Sequence, residues 1–296
     1  MLRRAFACLA SGLALVLTTA GCDEPLSLPL QTTEPVAEIL GTTFDAEAAG
    51  NVTGQVTWSG PVPAVPPFKA PLSTGTEGRD RLLRSWANPH APAVDPASRG
   101  VAGAVVFLRG VEPGVARPWD LPLVQIEMKD GQFHVYQGTG EQRAGFLRSG
   151  DPVAMVSWER WFELLQARGA AFFSLAFPEP GLVRTRLLQQ PGYVELISGA
   201  GHYWMRGHLF VVAHPYYTNT NGAGRFTLPQ VPPGDYQLVC WHPSWHTASR
   251  ERDIGTLLYT HLTFRPSLEV IQPIRVERGT TANAMFRLAA DDFDPQ

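Results

Sequence analysis

Apolar and polar positions alternate along much of this chain with a period of two. In "GNVTGQVTWSGPVP", Val52, Gly54, Val56 and Trp58 alternate with Thr53, Gln55 and Thr57. That is the period of a strand with one buried face, and Gly60-Pro61 ends it. A different pattern follows in "GAVVFLRG", Gly103 to Gly110, whose continuous apolar run predicts a strand covered on both faces. Up to about Val212 short strands are expected at "LVQIEM", "QFHVY", "PVAMVSW", "AAFFSLAF", "GYVELI" and "HLFVVA", a count that suits a β-sandwich. Helical spacing occurs at "ERWFELLQARG". There Trp158, Trp161, Phe162 and Leu165 recur at helical intervals and Gly169 stops the run, so one or two helical turns are expected. The segment from Pro61 to Arg99, rich in Pro and polar residues, reads as a long surface excursion with a short helix around Arg79 to Trp86.

The last third carries turn chemistry. Asn221 to Gly224 can supply the positive φ angles of a hairpin turn, with Phe226 and Leu228 alternating inward after it. Pro232-Pro233-Gly234 makes a second tight turn, after which Tyr236, Leu238 and Cys240 share one face of a further strand. Strands at "LEVIQPIRV" and "TANAMFRL" end the pattern. The run Thr220-Asn221-x-x-Gly224-x-Phe226-x-Leu228, followed by Val231-Pro232-Pro233-Gly234-x-Tyr236-x-Leu238, resembles the signature of carboxypeptidase regulatory-like domains. The opening "VTGQVTWSGPVP" resembles the first strand of the same family, which implies a transthyretin-like sandwich of about seven strands.

Composition narrows the class. The chain has 296 residues, 44% of them hydrophobic, enough to bury a core. Only 17% are charged, the net charge is -3, and no basic face is evident, so nucleic acid is not an expected partner. The 28 Gly and 26 Pro fall between apolar runs without a fixed period, as in a mainly β protein with many turns.

At the N-terminus, Arg3 and Arg4 precede an apolar run from Ala5 to Leu17 and then Thr19-Ala20-Gly21-Cys22, the plan of a secretory signal. Ala-Gly-Cys resembles the lipobox of bacterial lipoproteins, although Thr19 replaces the usual Leu. The resemblance implies cleavage before Cys22 and diacylglycerol on its sulfur. Each buried CH₂ contributes about 0.8 kcal/mol, so two or more acyl chains hold a protein durably on a membrane. With Cys8 removed and Cys22 lipidated, Cys240 is the one cysteine left in the mature domain, and no disulfide can form within it. Cys240, between Val239 and Trp241, reads as a small buried hydrophobe.

A second resemblance lies between the two halves. Several bacterial envelope lipoproteins of the planctomycete type pair a regulatory-like domain with a cupredoxin-like segment ending in Cys-x-x-His-x-x-Met, then "HPYF". Here the frame is Gly199-x-x-His202-x-x-Met205, then His214-Pro215-Tyr216-Tyr217, without the cysteine. The upstream histidine of such a segment is also missing, and in "SWERWFELL" the best-placed residue is Glu163. A blue-copper centre needs a thiolate and two imidazoles beside a weak axial methionine. His202 and Met205 alone do not supply that set, and no metal cofactor is expected. The segment then reads as a degenerate copper loop whose Tyr203, Trp204 and Met205 still pack a core.

The expected organisation is thus a signal peptide (1–21), a tether (22–49), a discontinuous regulatory-like sandwich (50–110 and 213–296) and an inserted cupredoxin-like sandwich (111–212). His202, Met205, His208 and His214, with His242 and His246 nearby, are the residues a metal-binding alternative would use. Trp204, Trp241 and Trp245, with Trp158 and Trp161, are those a sugar-stacking surface would use in a carbohydrate-binding alternative. No Gly-x-Ser-x-Gly elbow, His-Glu-x-x-His or phosphate-binding glycine loop is present, and the pairs Asp45/Glu47 and Glu159/Glu163 read as solvated carboxylates. The expectation is a non-catalytic lipoprotein, anchored to a membrane of the bacterial envelope and facing the periplasm or exterior. It would act as an interaction or scaffold module for an envelope protein or glycan.

Overall fold

The computed structural model describes residues 43–71, 83–252, 254 and 259–294. The expected signal peptide, most of the expected tether and Cys22 lie outside them. The described chain is mainly β, with two short 3-10 turns at Pro113–Val115 and Ala290–Phe293. Its four larger sheets form two β-sandwiches.

The first sandwich takes strands from both ends of the described chain. One sheet has Gly50–Trp58 at its centre, antiparallel to Arg225–Val231 and parallel to Thr281–Leu288. The facing sheet orders Tyr217–Asn219, Val105–Arg109, Gly234–His242 and Leu268–Val276, all antiparallel. Val52, Val56, Leu108, Leu238, Phe286 and Leu288 fill the space between them. The second sandwich pairs a sheet of Ala144–Arg148, Arg206–Val212, Gly192–Ser198, Glu163–Gly169 and Phe173–Phe177 with one of Val183–Leu187, Pro152–Ser157, Val124–Lys129, Gln132–Gln137 and Gly140–Gln142. Ile126, Met155, Leu165, Phe177, Leu196 and Leu209 lie in its core.

A third apolar cluster joins the sandwiches. Phe107, Val239 and Trp241 pack against Phe146, Phe210 and Val212. Because successive side chains of a strand point to opposite faces, Val105 and Phe107 reach this seam while Val106 and Leu108 reach the first core. Likewise Phe210 and Val212 face the seam, and Leu209 and Val211 the second core. The two inner sheets are therefore covered on both sides, and their strands carry the continuous apolar runs "AVVFL", "HLFVV" and "LVCW". Outer strands keep the alternation, as in Leu268–Val276 and Arg225–Val231.

Both turns of the last third form. Asn221 Oδ1 accepts the N–H groups of Ala223 and Arg225 at 3.0 Å each, and Gly224 has φ +73°. Pro232-Pro233 carries the chain from one sheet of the first sandwich to the other, and the Tyr236 hydroxyl donates to the Pro232 carbonyl at 2.9 Å.

Two expectations are corrected. "ERWFELLQARG" forms no helix: Glu163–Gly169 is a strand, in which Glu163, Leu165 and Ala167 point inward, while Trp158 and Phe162 stay exposed. Inter-strand pairing to Phe173–Phe177 and Gly192–Ser198 outweighs the local helical spacing. Nor is the stretch from Pro61 to Arg99 purely superficial. Leu83–Trp86 is a strand paired with Phe68–Pro71, and Trp86 stacks on Trp204 with centroids 4.7 Å apart. Residues 79–82 of the expected helix lie outside the described residues.

Candidate functional site

The loop from Gly199 to Met205 joins two neighbouring strands of the second sandwich and closes one end of its core. The Met205 N–H donates to the His202 carbonyl at 2.9 Å, a tight turn that sends the side chains of His202, Trp204 and Met205 inward. Opposite them the strand Glu163–Gly169 begins with a carboxylate that is wholly buried. Glu163 Oε1 accepts the Trp161 indole N–H at 3.0 Å and pairs with His202 Nδ1; its Oε2 accepts the Ser198 hydroxyl at 3.1 Å. Trp161 and Trp204 stand edge-on to the His202 ring, at 5.8 and 5.3 Å.

Glu159 sits behind this group. Its Oε1 accepts the Gly131 N–H at 2.6 Å, and the Gly131 carbonyl accepts the Trp204 indole N–H at 2.8 Å. Burial pushes the Glu159 carboxyl up; the Gly131 N–H opposes this, and the charge of Glu163 adds to it. Glu159 and Glu163 are thus not the solvated pair expected from sequence. Each lies in the interior, Glu159 held by the Gly131 N–H and Glu163 by Trp161 and Ser198.

This arrangement does not fit a blue-copper centre. The group beside His202 Nδ1 is the Glu163 carboxylate and not a second imidazole, and a carboxylate is a hard donor that suits Cu(I) poorly. Met205 packs among core side chains, and Cys240, the buried free thiol, belongs to the other sandwich. Burial also pushes the Cys240 thiol well up. Among the described residues no three His, Cys, Asp or Glu side chains converge as metal ligands would.

The other histidines named as candidates lie away from His202. His208 points to the seam, where its Nδ1 meets the Tyr193 hydroxyl at 2.7 Å and its ring approaches those of His90 and Trp241. Beyond the strand, His214 packs between Tyr216 and Tyr217. His242 stands against Phe293, and His246 beside Trp245 and Asp294. Burial, reinforced by the charge of Arg143 and Arg206, holds His208 down to about 3, and burial holds His214 down to about 4. Nothing in the sequence singles out His90, because only the pairing of distant strands brings it to the seam. Its Nδ1 lies 2.9 Å from the Ser244 carbonyl, so that nitrogen carries the proton in the neutral ring.

Of the tryptophans named for sugar stacking, Trp158 is exposed and Trp161 half-buried, while the other three are enclosed. Trp204 lies against Trp86, Trp241 faces the seam and donates to the Ser267 hydroxyl at 2.7 Å, and Trp245 packs on Phe293. Trp204, Trp241 and Trp245 are 2%, 3% and 6% exposed, so none presents a ring face to solvent. A cavity of about 260 Å³ does open beside Trp241 at the seam, with His90, Arg168, Glu195, Arg206 and Ser267 on its walls. A second one, of about 380 Å³, lies on the other side of Arg206 and is bounded by Arg143, Gln132, Gln142 and His208.

Comparison with known proteins finds one partial family match. Residues 191–255 match the model described as polysaccharide lyase family 4, domain II. No curated protein matches. Solved cupredoxin-like structures align with part of the chain. A mutant of amicyanin in its Cu(I) form is 13% identical, with 30% of this chain and 82% of that chain covered and a TM-score of 0.25. A Cu-containing nitrite reductase from Thermus scotoductus is 15% identical, with 36% of this chain and 25% of that one covered and a TM-score of 0.25.

Proposed function

We propose that the chain is a non-catalytic interaction module of the bacterial envelope, held on a membrane through acylated Cys22, with the metal position of its second sandwich converted into a structural network. The observation that carries this reading is the buried Glu163 carboxylate, which takes three donors or partners from Trp161, Ser198 and His202. Satisfied in this way, the carboxylate and imidazole bind each other rather than a ligand. The sequence around Cys22 supports the anchor.

Anchoring is tested by expressing the full chain in a bacterial host and separating membrane from soluble fractions. The native chain is expected in the membrane fraction and Cys22→Ser in the soluble one. Equal partition of the two contradicts the anchor.

A second reading, glycan binding, is favoured by the polar cavity beside Trp241 and by the partial match to a polysaccharide lyase domain. In this reading contacts come from the seam rather than from an exposed aromatic platform, since Arg168, Glu195 and Ser267 offer the hydrogen-bonding groups. A glycan array with Arg168→Ala and Glu195→Ala controls tests it. Signals that both substitutions leave unchanged, or no signal above background, remove this reading.

A further inference from the structure

The 380 Å³ cavity between the sandwiches contains a cation that the fold leaves without a counter-charge. Arg143 donates from Nη1 to the Pro89 carbonyl at 2.9 Å and from Nη2 to the Ala91 carbonyl at 3.2 Å. A guanidinium has five N–H donors, so these two bonds leave most of its capacity unused, and Nε is buried with no acceptor. Among the described residues no carboxylate forms an ion pair with Arg143. Of the neighbouring charges, Arg206 pairs with Glu195 at 3.2 Å, and Glu141 at the rim lies 2.9 Å from His134 Nδ1. Arg143 is therefore the cation of this cavity to which no carboxylate is paired among the described residues.

Burial lowers the Arg143 guanidinium only to about 10, so it stays charged at neutral pH. Its field also helps to hold His90, His208 and His242 neutral, although burial is the larger cause in each. Arg143 is half-buried, and a guanidinium partly withdrawn from water without a partner is stabilised by an anion that supplies one. The walls add the side-chain amides of Gln132 and Gln142, for which no intramolecular hydrogen bond is seen among the described residues. Guanidinium N–H groups and primary amides are the donors that suit a planar or tetrahedral oxyanion. A metal cation is disfavoured by the same field.

We propose that this cavity binds a small oxyanion, the carboxylate of an acidic sugar or a phosphate group, with Arg143 as its principal contact and Gln132 and Gln142 beside it. The site is separate from the Glu163–His202 network and does not depend on how the chain is anchored.

Isothermal titration of the full chain, solubilised in detergent, in about 150 mM NaCl to screen non-specific attraction, uses three probes: inorganic phosphate, glucuronate and neutral glucose. One-to-one saturable binding of phosphate or of glucuronate, but not of glucose, is expected, and which of the two saturates identifies the source of the oxyanion. Arg143→Gln is expected to weaken that binding at least tenfold. Gln142→Ala, which leaves the charge in place, is expected to weaken it by a smaller factor. In the native chain the His208 and His90 imidazole signals should also shift with the same saturation curve, because both rings feel the Arg143 charge. If Arg143→Gln does not fold, the Gln142→Ala titration and the imidazole shifts decide. Failure of both anions to saturate, or unchanged affinity in these variants, overturns the proposal.

Discussion

Glu163 Oε1 pairs with His202 Nδ1 inside the second sandwich, with the Trp161 indole N–H on the same oxygen at 3.0 Å. His202 lies in the loop and Glu163 at the start of an adjacent strand of the same sheet, so their contact fastens the loop from Gly199 to Met205 to that sheet. Removing one partner of a buried pair strands the other charge or dipole, at a cost of about 3–5 kcal/mol. Glu163→Ala is expected to lose stability on that scale in urea denaturation, and Glu163→Gln less. A double-mutant cycle with His202→Ala should give a coupling energy above about 1 kcal/mol. Additive losses contradict the pairing.

Trp86 and Trp204 form a parallel stack, with 14° between their planes, that fastens the hairpin Phe68–Pro71/Leu83–Trp86 to the second core. Trp86→Ala is expected to cost about 3–5 kcal/mol, the usual loss for a large aromatic removed from a core. Trp86→Phe should cost less. If the hairpin is only a surface excursion, both variants will denature at the native midpoint.

The buried histidines make stability pH-dependent. His208 and His214 are held down to about 3 and about 4 in the folded chain, whereas an unfolded histidine titrates near 6.5. Between those values the unfolded chain binds more protons, so acid favours unfolding. Their contribution is therefore fully present above about pH 6.5 and is lost as pH falls toward 4 and then 3, at up to about 1.4 kcal/mol per pH unit for each ring. Glu159, whose carboxyl is pushed up, acts in the opposite sense at its own titration. Urea midpoints at pH 7.5, 6 and 5 should fall steadily. His208→Gln should flatten the curve, and a native curve already flat from 7.5 to 5 contradicts the assignment.

Gly224 closes the Asn221 turn with φ +73°, and a Cβ there would lie 2.2 Å from the Val56 carbonyl. Gly224→Ala is expected to lose more than about 1 kcal/mol, the strain of a non-glycine residue at positive φ, with the backbone clash added. Asn221→Ala should cost about 1 kcal/mol through its two lost hydrogen bonds to Ala223 and Arg225. Thermal melting of both variants checks this order.

Much of the strand pattern is legible in the sequence because two periodicities report two kinds of coverage. Runs such as "AVVFL" belong to inner sheets with a core on each side, and alternation such as that around Phe226 and Leu228 belongs to outer ones. Strands such as Ala144–Arg148 escape this reading, since a five-residue segment next to polar turns gives no period to count. The helical reading of "ERWFELLQARG" fails because Trp158 and Phe162 are exposed loop aromatics that happen to fall at helical intervals. At the site, the frame around His202 and the placing of Glu163 are visible in the sequence as a resemblance to a copper loop. The burial of Glu159, the tryptophan stack and the approach of His90 to His208 are not, because each depends on segments far apart in sequence. The partner of a buried carboxylate is a property of sheet packing rather than of local spacing.

The central proposal is that the carboxylate–imidazole network of Glu163 and His202 holds no copper. Titrating Cu(II) into untagged, metal-stripped protein and following electron paramagnetic resonance together with elemental analysis tests it most directly. The account predicts no stoichiometric copper after dialysis and no spectrum dependent on His202. One equivalent of retained copper that disappears in His202→Ala would contradict it.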